Sequence, residues 1–255
     1  MSASEEAYLS LEEPPRSDHL WRYTPWKRVH PTGNPNEIPD GISTPEISLS
    51  MINGEEASDI SLEMGNAISI PFEGSLVSNS FLSAITNGKA IRITIPENWR
   101  NETPLILDVK PTGGLDAVHI HVETGKFSEA TILTRVQGSS EWLGILRTGH
   151  TGVGSFLQDV FVNKARDGNL MRVDALKLGR DSSVTAGTVS AGSAWTKADI
   201  RYLLDAPGSN LNVLGSLLSA DQMHLDHHIE ISHLAPNTYS RLASVSYTHL
   251  TLPTI

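Results

Sequence analysis

Cysteine is absent from all 255 residues. That excludes disulfides, thiolate metal sites, a cysteine nucleophile and cysteine ligation of a metal cluster by this chain, so any metal ligand must be His or carboxylate. Aromatic residues make up only 6%, against 20 glycines, which favours many short elements separated by turns over a helical bundle. No apolar run approaches the roughly 20 residues needed to span a bilayer, and the start, Met-Ser-Ala-Ser-Glu-Glu, has no basic or apolar leader character. A cytoplasmic protein with no membrane partner is expected. Basic residues are in deficit: 19 Lys and Arg against 29 Asp and Glu give a formal charge of −10, which argues against nucleic acid as a partner.

What remains is 39% hydrophobic, enough for one large all-β domain or two ordinary ones. The charge is uneven. Through Glu63 there are 12 acidic and 4 basic residues, and the rest of the chain is nearly balanced at 17 and 15. Seven of the 14 prolines also occur by Pro45, so residues 1–75 read as an acidic, Pro-rich, irregular N-terminal arm. Within it Trp21, Tyr23 and Trp26 place three large rings in six residues. They are candidates for docking a partner, or else pack on the chain's own core.

A short helix is expected from Asn79 to about Asn87, capped by Ser78 or Asn79 and ended by Asn87-Gly88. Beyond it, apolar and β-branched runs recur at 90–95, 105–109, 117–122, 131–136, 142–146, 156–162, 170–178, 184–189, 200–204, 211–218 and 223–231. Their spacing suits a sandwich, a barrel or a parallel solenoid. Only Asp167-Gly168 is a strong hairpin turn between long runs, which tips the balance to an all-β parallel solenoid over residues 90–243.

Several motifs invite chemistry. Gly149-His-Thr-Gly-Val-Gly154-Ser155 resembles a phosphate loop but lacks the Lys that would reach a phosphate, and a β-type run follows it, so a tight turn without nucleotide hydrolysis is expected. His119 and His121 alternate with Val118, Ile120 and Val122. Both rings therefore share one strand face, with no third ligand near in sequence, and a solvated or partner-facing position is the favoured reading. The segment from His224 to His233 is the most unusual. As a strand it sends His224, Asp226, His228, Glu230 and Ser232 to one face and Leu225, His227, Ile229, Ile231 and His233 to the other. The first face offers weak candidate metal ligands in His224, Asp226 and His228. A polar ladder at a surface or interface is favoured, because alternate residues of one strand stand about 7 Å apart and do not converge on one ion.

Three segments, in order, resemble the SufD branch of the SufB/SufD family of iron-sulfur cluster assembly proteins. They are Trp21-Arg22-Tyr23-Thr24-Pro25; Ser80 to Val109 with its helix, Asn87-Gly88 and two strands; and Thr196 to Ser240, with Lys197-Ala198-Asp199-Ile200, Leu211-Asn212-Val213-Leu214-Gly215 and His224-Leu225-Asp226-His227-His228. Lys110 to Ala194 matches only in strand rhythm. The resemblance implies a right-handed parallel β-helix, here residues 76–243, that pairs with a SufB-like subunit and binds a SufC-like ATPase through a helical C-terminal domain. It implies a non-catalytic scaffold on which an iron-sulfur cluster is assembled transiently, with no cofactor held tightly by this chain alone; a homodimer is also possible. Residues 244–255 depart from the family and read like a translated sequencing adapter, so they are expected to be a non-native tail, with the SufC-binding domain missing. A truncated solenoid of this kind is expected to aggregate. The alternatives are a stand-alone metal-dependent enzyme using the strand 224–233 with His119 and His121, and a carbohydrate-binding solenoid, against which the few aromatics argue.

Overall fold

In a computed structural model, which describes residues 2–67, 76–220 and 222–248, the chain begins with helix α1 (Ala3–Leu9), a 3-10 turn (His19–Trp21) and the single helical turn α2 (Trp26–Val29). Strands β1 (Glu46–Met51) and β2 (Ser61–Asn66) precede helix α3 (Leu76–Ile85). Then come β3 (Lys89–Ile95), β4 (Leu105–Lys110), β5 (Leu115–Thr124), β6 (Glu129–Gly138), β7 (Trp142–Thr151) and β8 (Phe156–Ala165). The series continues with β9 (Asn169–Leu178), β10 (Ser183–Ser190), β11 (Trp195–Leu204), β12 (Asn210–Ser219), β13 (His224–His233) and β14 (Tyr239–Thr248).

Successive strands go to opposite sheets. The front sheet runs β13-β11-β9-β7-β5-β3-β2 and the back sheet β1-β4-β6-β8-β10-β12-β14. From β3 onward every pairing is parallel, which makes the expected β-solenoid, of about six turns. The register partners Leu115, Trp142, Asn169, Trp195 and His224 show that each turn advances the chain by 26 to 29 residues. Two strands per turn account for the spacing of the apolar runs, each of which lies in or overlaps a strand.

The core follows from strand alternation. Inward residues such as Ile93, Leu107, Ile120, Ile132, Ile145 and Leu178 fill the space between the sheets, each contributing about 1.5–3 kcal/mol when fully buried. A second core lies outside the front sheet, where Tyr8, Trp21, Trp26, Val29, Phe81 and Leu82 cover Ala117, Trp142, Leu146, Met171 and Val173.

One corner of the solenoid is built from a repeat in the sequence. Thr124-Gly125-Lys126-Phe127-Ser128, Thr151-Gly152-Val153-Gly154-Ser155 and Leu178-Gly179-Arg180-Asp181-Ser182 stack on one another. In each, the fourth residue has a left-handed backbone: Phe127 at φ 56°, Gly154 at 63° and Asp181 at 54°. Thr124 Oγ1 donates to Ser155 Oγ at 3.0 Å and Thr151 Oγ1 to Ser182 Oγ at 2.8 Å. Side chains have no room at the second position: a Cβ on Gly179 would stand 2.3 Å from the Thr151 carbonyl oxygen. The glycine-rich segment 149–155 is this corner.

The N-terminal region is more ordered than an irregular arm. Its β1 and β2 pair antiparallel with β4 and β3 and close the first edge of both sheets, where an unpaired strand would otherwise template aggregation. The helix expected over 79–87 occurs as α3, beginning three residues earlier and ending before Asn87 (φ 52°) and Gly88 (φ 61°). Strand β14 crosses the proposed tail boundary and runs to Thr248; residues 249–255 lie outside the described residues.

Candidate functional site

The His-rich strand β13 adopts the alternation its sequence dictates. Outward-facing His224, Asp226 and His228 are half-buried, and all three are engaged by neighbouring side chains. Thr24 Oγ1 donates to Asp226 Oδ2 at 2.5 Å and lies 2.8 Å from His224 Nε2. The hydroxyl has one proton and the carboxylate can only accept, so His224 Nε2 must be the protonated nitrogen. Trp195 stacks on His224 at 4.4 Å between centroids, and Arg28 lies 4.1 Å above Trp195. Lys197, 4% exposed, donates to the Leu20 carbonyl and to Asp226 Oδ2 at 2.7 Å. His228 Nδ1 donates to Asp199, which also receives Arg201. These residues form a clasp holding segment 18–28 against the front sheet. They do not converge on a common point, and the expectation of a surface or interface ladder becomes an intramolecular one.

The arm's rings divide. Trp21 and Trp26 are 2% and 1% exposed, meet at 5.3 Å edge to face, and belong to the outer core, so they are not free to dock a partner. Tyr23 alone of the three is exposed.

His119 and His121 are a correction. Rather than facing solvent or a partner they are buried, at 3% and 0%, because the face they share is the one covered by α3 and the outer core. Thr148 of β7 stands between them, its Oγ1 2.7 Å from His119 Nε2 and 2.7 Å from His121 Nδ1. Burial pushes His119 down to about 4, and burial likewise lowers His121. The third group missing from the local sequence arrives through the fold. Glu123 lies two residues along β5, and the parallel register sets His150 of β7 beside it. His121 Nε2 is 3.0 Å from Glu123 Oε1, and one ligand atom each of His121, Glu123 and His150 lie within 4.8 Å of one another. Among the described residues this is the one such grouping of three or more His, Asp or Glu.

A further polar cluster sits inside the solenoid, at inward positions the apolar pattern did not flag. Arg147 donates to Asp159 at 2.6 Å and to Asp174 at 2.9 Å. Arg172 grips Asp174 through Nε at 2.9 Å and Nη2 at 2.5 Å, and its guanidinium lies 3.8 Å above Phe161 of the opposite sheet. Burial opposes ionisation of Asp174, yet the two arginines hold its carboxyl below the usual range. Burial raises the Tyr202 hydroxyl and pushes His227, also turned inward, down to about 4. Every charge here has a partner, which marks the cluster as structural.

The family model described as SUF system FeS cluster assembly, SufBD core domain, matches residues 109–247. An iron-sulfur cluster assembly SufBD family protein of Mycobacterium leprae is 21% identical over 239 residues, 91% of this chain and 59% of that protein. The chain thus spans about three-fifths of the length of the curated relative it matches. The matched region includes 110–194, where only strand rhythm carried the resemblance, and β14 as far as Tyr247. A parallel two-sheet solenoid, matched by the core-domain model over more than half of its residues, places the chain in the SufBD family of the SUF iron-sulfur cluster assembly system.

Proposed function

We propose that this chain acts as a non-catalytic scaffold subunit of a cytoplasmic SufB–SufC–SufD-type complex, pairing with a SufB-like subunit and engaging a SufC-like ATPase through a helical domain of the longer family members. Iron and sulfide are cargo in this reading. The observation that carries it is the SufBD core match across a solenoid whose conspicuous polar groups at β13 are committed to holding the chain's own N-terminal segment. The enzyme reading draws no support from β13, since His224 and Asp226 are held by Thr24, His228 is held by Asp199, and the segment 149–155 is a packed corner.

The test is co-expression with SufB-like and SufC-like proteins from the same source, followed by size-exclusion chromatography. Co-elution with the SufB-like subunit in fixed stoichiometry, with no ATP turnover by the chain alone, is the expected result. A SufB–SufC complex that forms and assembles clusters equally well without this chain overturns the proposal.

A further inference from the structure

We propose that His121, Glu123 and His150 form a binding site for one divalent late first-row transition ion on the outer face of the front sheet. The placement follows from the solenoid's register. Three alternate residues on one strand lie in a line, whereas two on β5 and one on β7 form a triangle with sides of about 7 Å and about 4.8 Å, from which side chains can meet over a common point. Two imidazoles and one carboxylate are the donor set that such ions favour, and they leave further coordination positions open.

The geometry is close to what an ion requires. Two bonds of about 2.1 Å at a right angle hold their ligand atoms about 3 Å apart, and His121 Nε2 lies 3.0 Å from Glu123 Oε1. The third ligand, His150, is exposed and needs only a side-chain rotation, since its ligand atom is already within 4.8 Å of the other two.

The surroundings orient the buried ligand. With the ion on Nε2, His121 carries its proton on Nδ1 and donates to Thr148 Oγ1; Thr148 in turn donates to His119 Nε2. Such an outer hydrogen bond fixes the tautomer and ring plane of a metal-binding histidine. His119 is then protonated at Nδ1, a buried atom without a protein partner, and it also lines a cavity of ≈ 90 Å³ that is large enough for water. Among the described residues Arg92, with Nη2 3.4 Å from Glu123 Oε1, is the one competing cation at the site. Its side chain is 39% exposed and its ion pair is correspondingly weak, so it can swing aside.

This site departs from the expectation that the chain alone binds no metal tightly, and it does not depend on the scaffold role, because uptake is read on the isolated chain. The experiment is titration of the metal-free protein with Co²⁺, followed by visible absorption and by equilibrium dialysis. One equivalent is expected, with ligand-field bands of nitrogen and oxygen coordination. His150→Ala and Glu123→Gln, both at accessible positions, are expected to weaken binding by more than about 100-fold, beyond the 10–100-fold expected of the positioning variant Thr148→Val. His228→Ala is expected to leave uptake unchanged. No stoichiometric uptake, uptake insensitive to His150→Ala and Glu123→Gln in variants whose circular dichroism is native, or uptake abolished by His228→Ala overturns the proposal.

Discussion

Replacing Asp174 by Asn removes one charge from the interior cluster while keeping its volume. Asp174 is 6% exposed and is the sole carboxylate bonded to Arg172, which is 2% exposed; Arg147 keeps Asp159. The variant therefore strands one buried guanidinium. Breaking a buried pair from one side costs about 3–5 kcal/mol, and the Phe161 ring under Arg172 offsets part of this, so a value near 3 kcal/mol is expected. At about 2–4 °C per kcal/mol for a chain of this size, the melting temperature falls by roughly 6–12 °C. The folded-state pKa of Asp174 is depressed, so its contribution is present above the unfolded value of about 3.9 and is lost as pH falls through the folded one. The gap between wild type and Asp174→Asn should accordingly be full at pH 7 and shrink below about pH 4. Urea unfolding gives the stability, and hydrogen exchange of β7 to β10 guards against stepwise unfolding of the repeats. Replacing Arg172 and Asp174 together by Leu should recover most of the loss. A cost under about 1 kcal/mol for Asp174→Asn at pH 7, with an unchanged denaturant slope, would refute the claim that the cluster is a closed, desolvated network.

Gly179→Ala should destabilise by about 1–3 kcal/mol, because the new methyl meets the Thr151 carbonyl, whereas Gly114→Ala, with nothing within 4 Å, should stay within about 0.5 kcal/mol; thermal melts compare the two. His227 is held neutral in the fold, so stability should fall as pH drops from about 6.5 towards 4, and His227→Leu should flatten that decline by up to about 3 kcal/mol; urea titrations from pH 7 to 4.5 read it. Thr24→Ala combined with Asp226→Asn should open the clasp, and trypsin should then cut at Arg22, Lys27 or Arg28 several-fold faster. Equal cleavage rates would show that the arm is held elsewhere.

The strands were legible because apolar runs survive at their inward positions even where residues such as Arg147 or His227 interrupt them. β1 was not, although Ile47, Leu49 and Met51 alternate within it, because the acidic, proline-rich stretch around it resembles a linker. The corner repeat was within reach of the sequence: Thr-Gly-x-x-Ser at 124 and 151, with Gly179 and Ser182 in step, recurs at the length of one turn. The candidate site was half legible. The shared face of His119 and His121 follows from strand alternation, but whether that face is covered depends on helix α3 and on an N-terminal segment far away in sequence. His150 becomes a neighbour of Glu123 only through the parallel register. The clasp joins Thr24 to Asp226 across 202 residues, a separation no local pattern encodes.

The corner column also acts as a ruler on chain length. One residue inserted inside a strand would turn every later side chain of that strand to the opposite face, sending Asp174 or Arg172 into the outer core that Met171 and Val173 now fill. One inserted at the Thr-Gly-x-x-Ser corner would break the hydroxyl ladder to the turns above and below. Slack exists in the turn from β11 through β12 to β13, which takes 29 residues instead of 26 or 27. Natural or engineered length changes in this fold should therefore come in whole turns of about 27 residues, or else gather in the connections of that turn.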